Sequence, residues 1–182
     1  KSKTRRLDFS IVGALVPAME LSRKQIEDLK TQTLRREVRL SPPESDSRIV
    51  PASISSELPV ERWFGREVLA HDSDSIDLSR VKDGRLPLLS IHDDRQWPIG
   101  AAFDFRLDEK ERKWRGRLQF ASTERAEEPW ALYKQEVPLG VSVGYRVDWD
   151  SAEYDKESDT YTFRKWTPME VSIVPVEADH TI

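Results

Sequence analysis

The stretch Gly140-Val-Ser-Val-Gly-Tyr-Arg-Val-Asp-Trp149 carries an apolar residue at every second position: Val141, Val143, Tyr145, Val147 and Trp149. That period of two is the pattern of a β-strand with one buried face. The same alternation turns Ser142, Gly144 and Arg146 to the opposite face. Gly140 and Gly144 flank the serine and leave room for another backbone or a substrate to approach its hydroxyl closely.

Working outward, TYTFRKW (160–166) and MEVSIVPV (169–176) give two further strands after a polar turn. In the second, Met169, Val171 and Ile173 are expected on one face, with Glu170, Ser172 and Val174 on the other. Upstream, the odd positions Ile99, Ala101, Phe103, Phe105 and Leu107 are apolar. After a charged turn, the even positions Trp114, Leu118 and Phe120 follow, which predicts a hairpin with one buried face. From Thr123 the period changes: Ala126, Trp130, Tyr133 and Val137 fall at helical spacing, with Pro129 forcing a late start or a kink.

Nearer the start, Ser22 is suited to cap a short helix running to about Thr31, with Ile26 and Leu29 on one face. The segment SPPESDS (41–47) reads as a loop, and a boundary is expected there. Residues 1–47 then form an N-terminal arm, short helix and linker, and residues 48–182 the main domain. The expected fold is mainly β with helices (α+β), a mostly antiparallel sheet or barrel with few helices.

Composition narrows the function. The chain has 182 residues, enough for one domain with a substantial core. With 37% hydrophobic and 34% charged residues it is polar for a globular protein. A formal net charge of -4 provides no overall cationic field, so nucleic acid is not expected as a partner. No cysteine is present, which excludes disulfides, thiolate metal sites and a cysteine nucleophile. Ile11 to Met19 superficially resembles a signal sequence, but the run is short and holds Pro17, so a buried strand or extended arm is expected and no membrane association. The chain opens on lysine, so a trimmed or processed fragment is expected.

Three residues suit acyl transfer. His92 ends the apolar run Leu86 to Ile91 where a strand opens into a loop. Ser142 faces away from a core, and Glu170 lies on the polar face of another strand. A serine hydroxyl needs a base to take its proton, and imidazole titrates near working pH. A carboxylate can orient that imidazole and stabilise its cation. The chain order His, Ser, Glu matches none of the chymotrypsin, subtilisin or hydrolase orders. By type and position alone, each of the three is more readily a structural residue than a catalytic one.

Three motifs in order give a stronger signal. Leu88 to Asp93 followed by Ile99-Gly100, Gly140 to Tyr145 as Gly-x-Ser-x-Gly-aromatic, and Glu170 to Val174 resemble the prohead maturation proteases of tailed phages, distant kin of the herpesvirus assemblins. The resemblance runs from about Arg48 to the C-terminus. It implies an assemblin-like β-barrel with flanking helices and catalytic His92, Ser142 and Glu170. It further implies a serine endopeptidase that needs no cofactor or metal and cleaves major capsid protein and scaffold segments, and itself in some cases, inside the assembling procapsid in the host cytoplasm. A homo-oligomer is compatible with this reading. Oxyanion donors would be backbone N–H groups, which the motifs do not assign. Some relatives continue into a capsid protein where this sequence stops, so a longer gene product is expected.

The competing readings are a non-catalytic capsid scaffold module of the same fold and a small ligand-binding barrel. His71 is the reserve candidate for orienting His92, a surface or capping role being simpler; His180 reads as solvated. No HExxH or histidine pair at metal-ligand spacing occurs. Trp114, Trp130 and Trp149 fall on core positions. Trp63, Trp97 and Trp166 do so less clearly, and Trp97 lies near enough to His92 in sequence to line a groove.

Overall fold

Alternating apolar residues become paired strands throughout the structure, a computed structural model that describes residues 21–30, 34–39, 47–81 and 83–176. In chain order the elements are α1 (Arg23–Lys30), β1 (Leu34–Arg39), β2 (Ile49–Ser56), β3 (Val60–Arg62), β4 (Gly65–Leu69), β5 (Arg85–Ser90), β6 (Gly100–Asp108) and β7 (Lys113–Phe120). They continue with α2 (Glu124–Lys134), β8 (Gly140–Val147), β9 (Ala152–Asp155), β10 (Thr160–Phe163) and β11 (Trp166–Val174). A seven-stranded sheet has the order β1-β8-β11-β5-β6-β7-β2, and a four-stranded sheet the order β3-β4-β10-β9.

The larger sheet is antiparallel except where β11 runs parallel to β5. It curls as a half-barrel, bringing its edge strands β1 and β2 against each other. The fold is thus α+β, mostly antiparallel, with two described helices. On the concave side Val141, Val143, Tyr145 and Val147 from β8 meet Leu88, Trp114, Leu118, Trp166 and Val171. Burying each such aliphatic side chain is worth about 1.5–3 kcal/mol. The smaller sheet adds an aromatic cluster in which Trp149 contacts Phe64, Tyr161 and Phe163 edge-on at ring separations of 5.6, 5.9 and 4.8 Å. Tyr145 ties the two sheets together: its hydroxyl donates to the fully buried Glu67 carboxylate at 2.5 Å and accepts from Arg62 at 2.9 Å.

The short N-terminal helix forms as its sequence predicts. Ser22 Oγ accepts from the Gln25 amide, while Gln25 Oε1 accepts from the Ser22 amide at 2.9 Å, a reciprocal cap. Leu29 is buried beneath it. In α2, Ala126, Trp130 and Tyr133 face inward as spaced, Pro129 is accommodated within the helix, and Val137 lies beyond its end. The linker segment 41–47, apart from its last residue, and the Ile11–Met19 run lie outside the described residues.

Two of the strands read from the sequence depart from the alternation expected of them, both through bulges. In β6 the register against β7 shifts between Phe103 and Arg106, where Asp104 has φ 55°. Before the shift it is Ala102 that is buried, and after it Phe105 packs on the core. Phe103 instead lies between the guanidinium groups of Arg85 and Arg117. The odd positions therefore do not share one face as predicted. In β11 the register shifts between Pro168 and Glu170, which separates Met169 from Val171 and Ile173. A proline cannot donate to the ladder, and the extra residue re-aims the side chains that follow.

Candidate active site

His92 is set by backbone before side chain. β5 ends at Ser90, yet Ile91 still donates its amide to Ile173 O at 2.9 Å, extending the parallel pairing with β11 by one residue. Ile91 and His92 then both take left-handed conformations, φ 48° and 59°. Such backbone is costly for any residue with a Cβ, most of all for a β-branched isoleucine, and persists only where the surroundings hold it. Ile91 is left 62% exposed, and the His92 amide donates to Ser172 Oγ at 3.2 Å. The imidazole is thereby carried back across the convex face of β11 toward β8.

Ser142 and Glu170 reach that imidazole from neighbouring strands. In the antiparallel pairing of β8 with β11, Ser142 is opposite Ser172, and Gly144 is opposite Glu170. Ser142 Oγ lies 2.7 Å from His92 Nε2, and Glu170 Oε1 lies 2.6 Å from His92 Nδ1. A carboxylate accepts, so Nδ1 carries the hydrogen, Nε2 is left as acceptor, and the serine hydroxyl donates to it. The second carboxylate oxygen, Oε2, accepts from Ser172 Oγ at 2.6 Å. Ser172 thus bonds both the backbone of His92 and the side chain of Glu170. Gly144 makes room for this carboxylate, since a Cβ there would stand 2.2 Å from Oε1. Such a serine–imidazole–carboxylate line can raise the nucleophilicity of the hydroxyl and store its proton.

The cluster is shielded. Ser142 has no exposed surface, and the His92 and Glu170 side chains are only 6% and 12% exposed. Beside it, a cleft of about 480 Å³ is lined by Pro87, Leu89, Trp97, Pro98 and Met169, with Arg146 also facing it. The cleft reaches His92 and Glu170 but not Ser142. Trp97 is 86% exposed there, and Trp63 is also at the surface. Trp166, by contrast, is a core residue, as are Trp114, Trp130 and Trp149.

His71 is neither at the surface nor beside His92. It is fully buried, with Nδ1 2.8 Å from Leu69 O and Nε2 2.7 Å from Ser55 Oγ. The carbonyl fixes the hydrogen on Nδ1, so Ser55 donates to Nε2. The His71 amide donates to Glu57, which also pairs with Arg112; Arg112 in turn holds Asp72. Burial works to raise the Glu57 carboxyl, but Arg112 and the His71 amide together hold it below its ordinary 4.5. The hydrogen bond from Arg112 likewise lowers Asp72. His180 lies outside the described residues. Among the described residues no group of three or more histidine and carboxylate side chains is arranged to hold a metal ion.

Sequence reasoning did not assign a role to Ser172 or see that Gly144 accommodates Glu170. Alternation puts Ser172 on the same face as Glu170, which was the available signal for it. The gap over Gly144 depends on strand register, which one sequence does not reveal.

A curled, mostly antiparallel sheet presenting a serine bonded to imidazole and carboxylate has the form of a serine hydrolase. Residues 65–181 match the caudovirus prohead serine protease family, and the chain belongs to it. It is also 40% identical over 136 residues to the major capsid protein of Halomonas phage phiHAP-1 (isolate -/Gulf of Mexico/-/2001). That match covers 71% of this chain but only 22% of the capsid protein. No solved structure matches.

Proposed function

We propose that the chain is a serine endopeptidase of procapsid maturation in which Ser142 is the nucleophile, His92 the general base and Glu170 the group that orients it. The observation that carries this reading is the continuous hydrogen-bonded line from Ser142 Oγ through both ring nitrogens of His92 to Glu170. Ser142 Oγ attacks a peptide carbonyl carbon as its proton passes to His92 Nε2. The tetrahedral intermediate collapses, His92 gives that proton to the departing amine, and an acyl-serine remains. Water, deprotonated by the same nitrogen, releases the acid. Glu170 stabilises the imidazolium in both halves without taking the proton.

The substrates in this reading are major capsid protein and scaffold segments, and the chain itself where cleavage is in cis. Enzyme and substrate meet inside the assembling procapsid in the host cytoplasm, where high local concentration replaces tight binding. Likeness to part of a major capsid protein supports a polypeptide in which protease and capsid are linked. Residues 48–182 would be the catalytic unit and residues 1–47 an appended segment.

The test is co-expression with the cognate capsid and scaffold chains. Wild type should trim them, and Ser142→Ala should assemble the same particles with every chain at full length. Undiminished trimming by the alanine variant would assign the nucleophile elsewhere. The same particles left uncut by wild type as well would favour a scaffold module.

A further inference from the structure

The line of bonded groups is complete, yet no acyl donor can reach it. A carbonyl carbon must come within about 3–3.5 Å of the attacking oxygen, and Ser142 has no exposed surface. Something beside the nucleophile has to move. β11 holds one side of β8 and is itself clamped by β5, so it cannot leave without dismantling the sheet. Among the described residues β1 occupies the other side of β8 and is the last strand of the sheet, with ladder hydrogen bonds to β8 alone and its far side standing against β2 without a ladder. Its register places Glu37 opposite Ser142, with Leu34 to Arg36 beyond it on one side and Val38 and Arg39 on the other. It also lies outside residues 65–181, the part that matches the family.

We propose that β1 is a strap over the substrate-binding edge of the protease: an extended polypeptide pairs with β8 in its place, and β1 must leave before Ser142 reacts. An unpaired strand edge presents a row of N–H and C=O groups that an extended chain can join as an added strand. A chain seated in the register of β1 is centred on the nucleophile, as cleavage requires. The edge is thus both the docking site for substrate and, while β1 remains, the lock on it. This inference rests on Ser142 being the nucleophile.

The experiment is the rate at which a fluorophosphonate probe labels Ser142 in the full chain, with folding checked by circular dichroism. Arg36→Pro and Glu37→Pro are made separately, because successive strand residues point their N–H groups to opposite sides and one of the two must interrupt the ladder. At least one should label about tenfold faster than wild type or more, in proportion to the larger open fraction. In the converse variant, Val38→Cys with Val141→Cys, a disulfide closes β1 onto β8 in a chain that has no other cysteine. Its oxidised form should label more slowly than its reduced form. Equal rates for folded wild type, both proline variants and both redox forms would overturn the strap while leaving the nucleophile in place. A probe that labels Ser142 in no folded form would overturn the nucleophile assignment and the strap with it.

Discussion

The Glu170 carboxylate lies where a side chain on Gly144 would have to be, with its Oε1 only 2.2 Å from the position of a Cβ. Because that oxygen is also the one bonded to His92, the glycine and the orientation of the imidazole are one requirement. Gly144→Ala should therefore push the carboxylate aside and keep the fold, since the far end of Glu170 can swing. A displacement of this size at a reacting constellation costs about 10²-fold in turnover. Parallel measurements of kcat and melting temperature check it, the first falling and the second dropping modestly with unfolding still cooperative.

Glu170→Gln tests the same bond by chemistry instead of space. The amide preserves shape but can offer a donor to Nδ1, favouring the tautomer whose other nitrogen can no longer accept from Ser142. The expected loss is on the order of 10⁴, the effect of the analogous change in a serine protease triad. The rate is read against Ser142→Ala as the floor. A glutamine variant within about threefold of wild type would remove Glu170 from the catalytic reading.

Ser172→Ala should act on both partners at once, because Ser172 accepts from the His92 amide and donates to Glu170. Leaving a buried polar group unsatisfied costs about 1–3 kcal/mol, and chemical denaturation should register a loss of that size. Labelling by an acylating probe should slow as well, while substrate KM stays near wild type because Ser172 touches no part of the cleft.

The molecule contains a second serine–histidine pair, Ser55 with His71, equally short but fully buried and backed by a carbonyl instead of a carboxylate. Ser55→Ala should destabilise the fold by about 1–3 kcal/mol through the orphaned Nε2, with turnover per folded molecule unchanged. Loss of activity without loss of stability would give this pair a part in the chemistry.

Near these residues, Arg112 holds Glu57 and Asp72 below their ordinary values. Both carboxyls therefore bind protons more readily in the unfolded chain. The stability they contribute is full above the unfolded values, 4.5 and 3.8, and is lost as pH falls through the folded ones. Arg112→Ala should be most destabilising near neutrality, and its gap from wild type should narrow in acid. Urea midpoints measured from pH 7 down to pH 3 follow that difference.

The strands were legible where alternation was uninterrupted, above all Val141 to Val147, because one face of β8 is core from end to end; Trp149, expected to continue the strand, is buried but opens a 3-10 turn. Alternation failed at Phe103 and at Met169. A bulge adds a residue to one strand and leaves no mark in the hydrophobic pattern. For the site, residue types and motif order led to His92, Ser142 and Glu170, and the structure brings those three side chains into one bonded line. Hydropathy gave no clue that Ser142 and Gly144, on the polar face of β8, would be buried while Arg146 beside them is exposed. Their cover includes His92 and Glu170, far away in sequence, and His71 likewise reads as a surface residue until Ser55 and Trp166 close around it.

The position of β11 has a consequence for timing. It is made after every other described strand, yet it sits between β8 and β5 and supplies Glu170, Ser172 and the carbonyl that anchors Ile91. A ribosome that has delivered everything through β10 has produced the histidine and the serine but nothing to join them. Pairing between segments so distant in sequence is a late event in folding. On the proposed assignment a nascent chain stays inert toward itself and its neighbours until this strand slides home, and stop codons or frameshifts upstream of residue 170 would release no half-active enzyme into the cell.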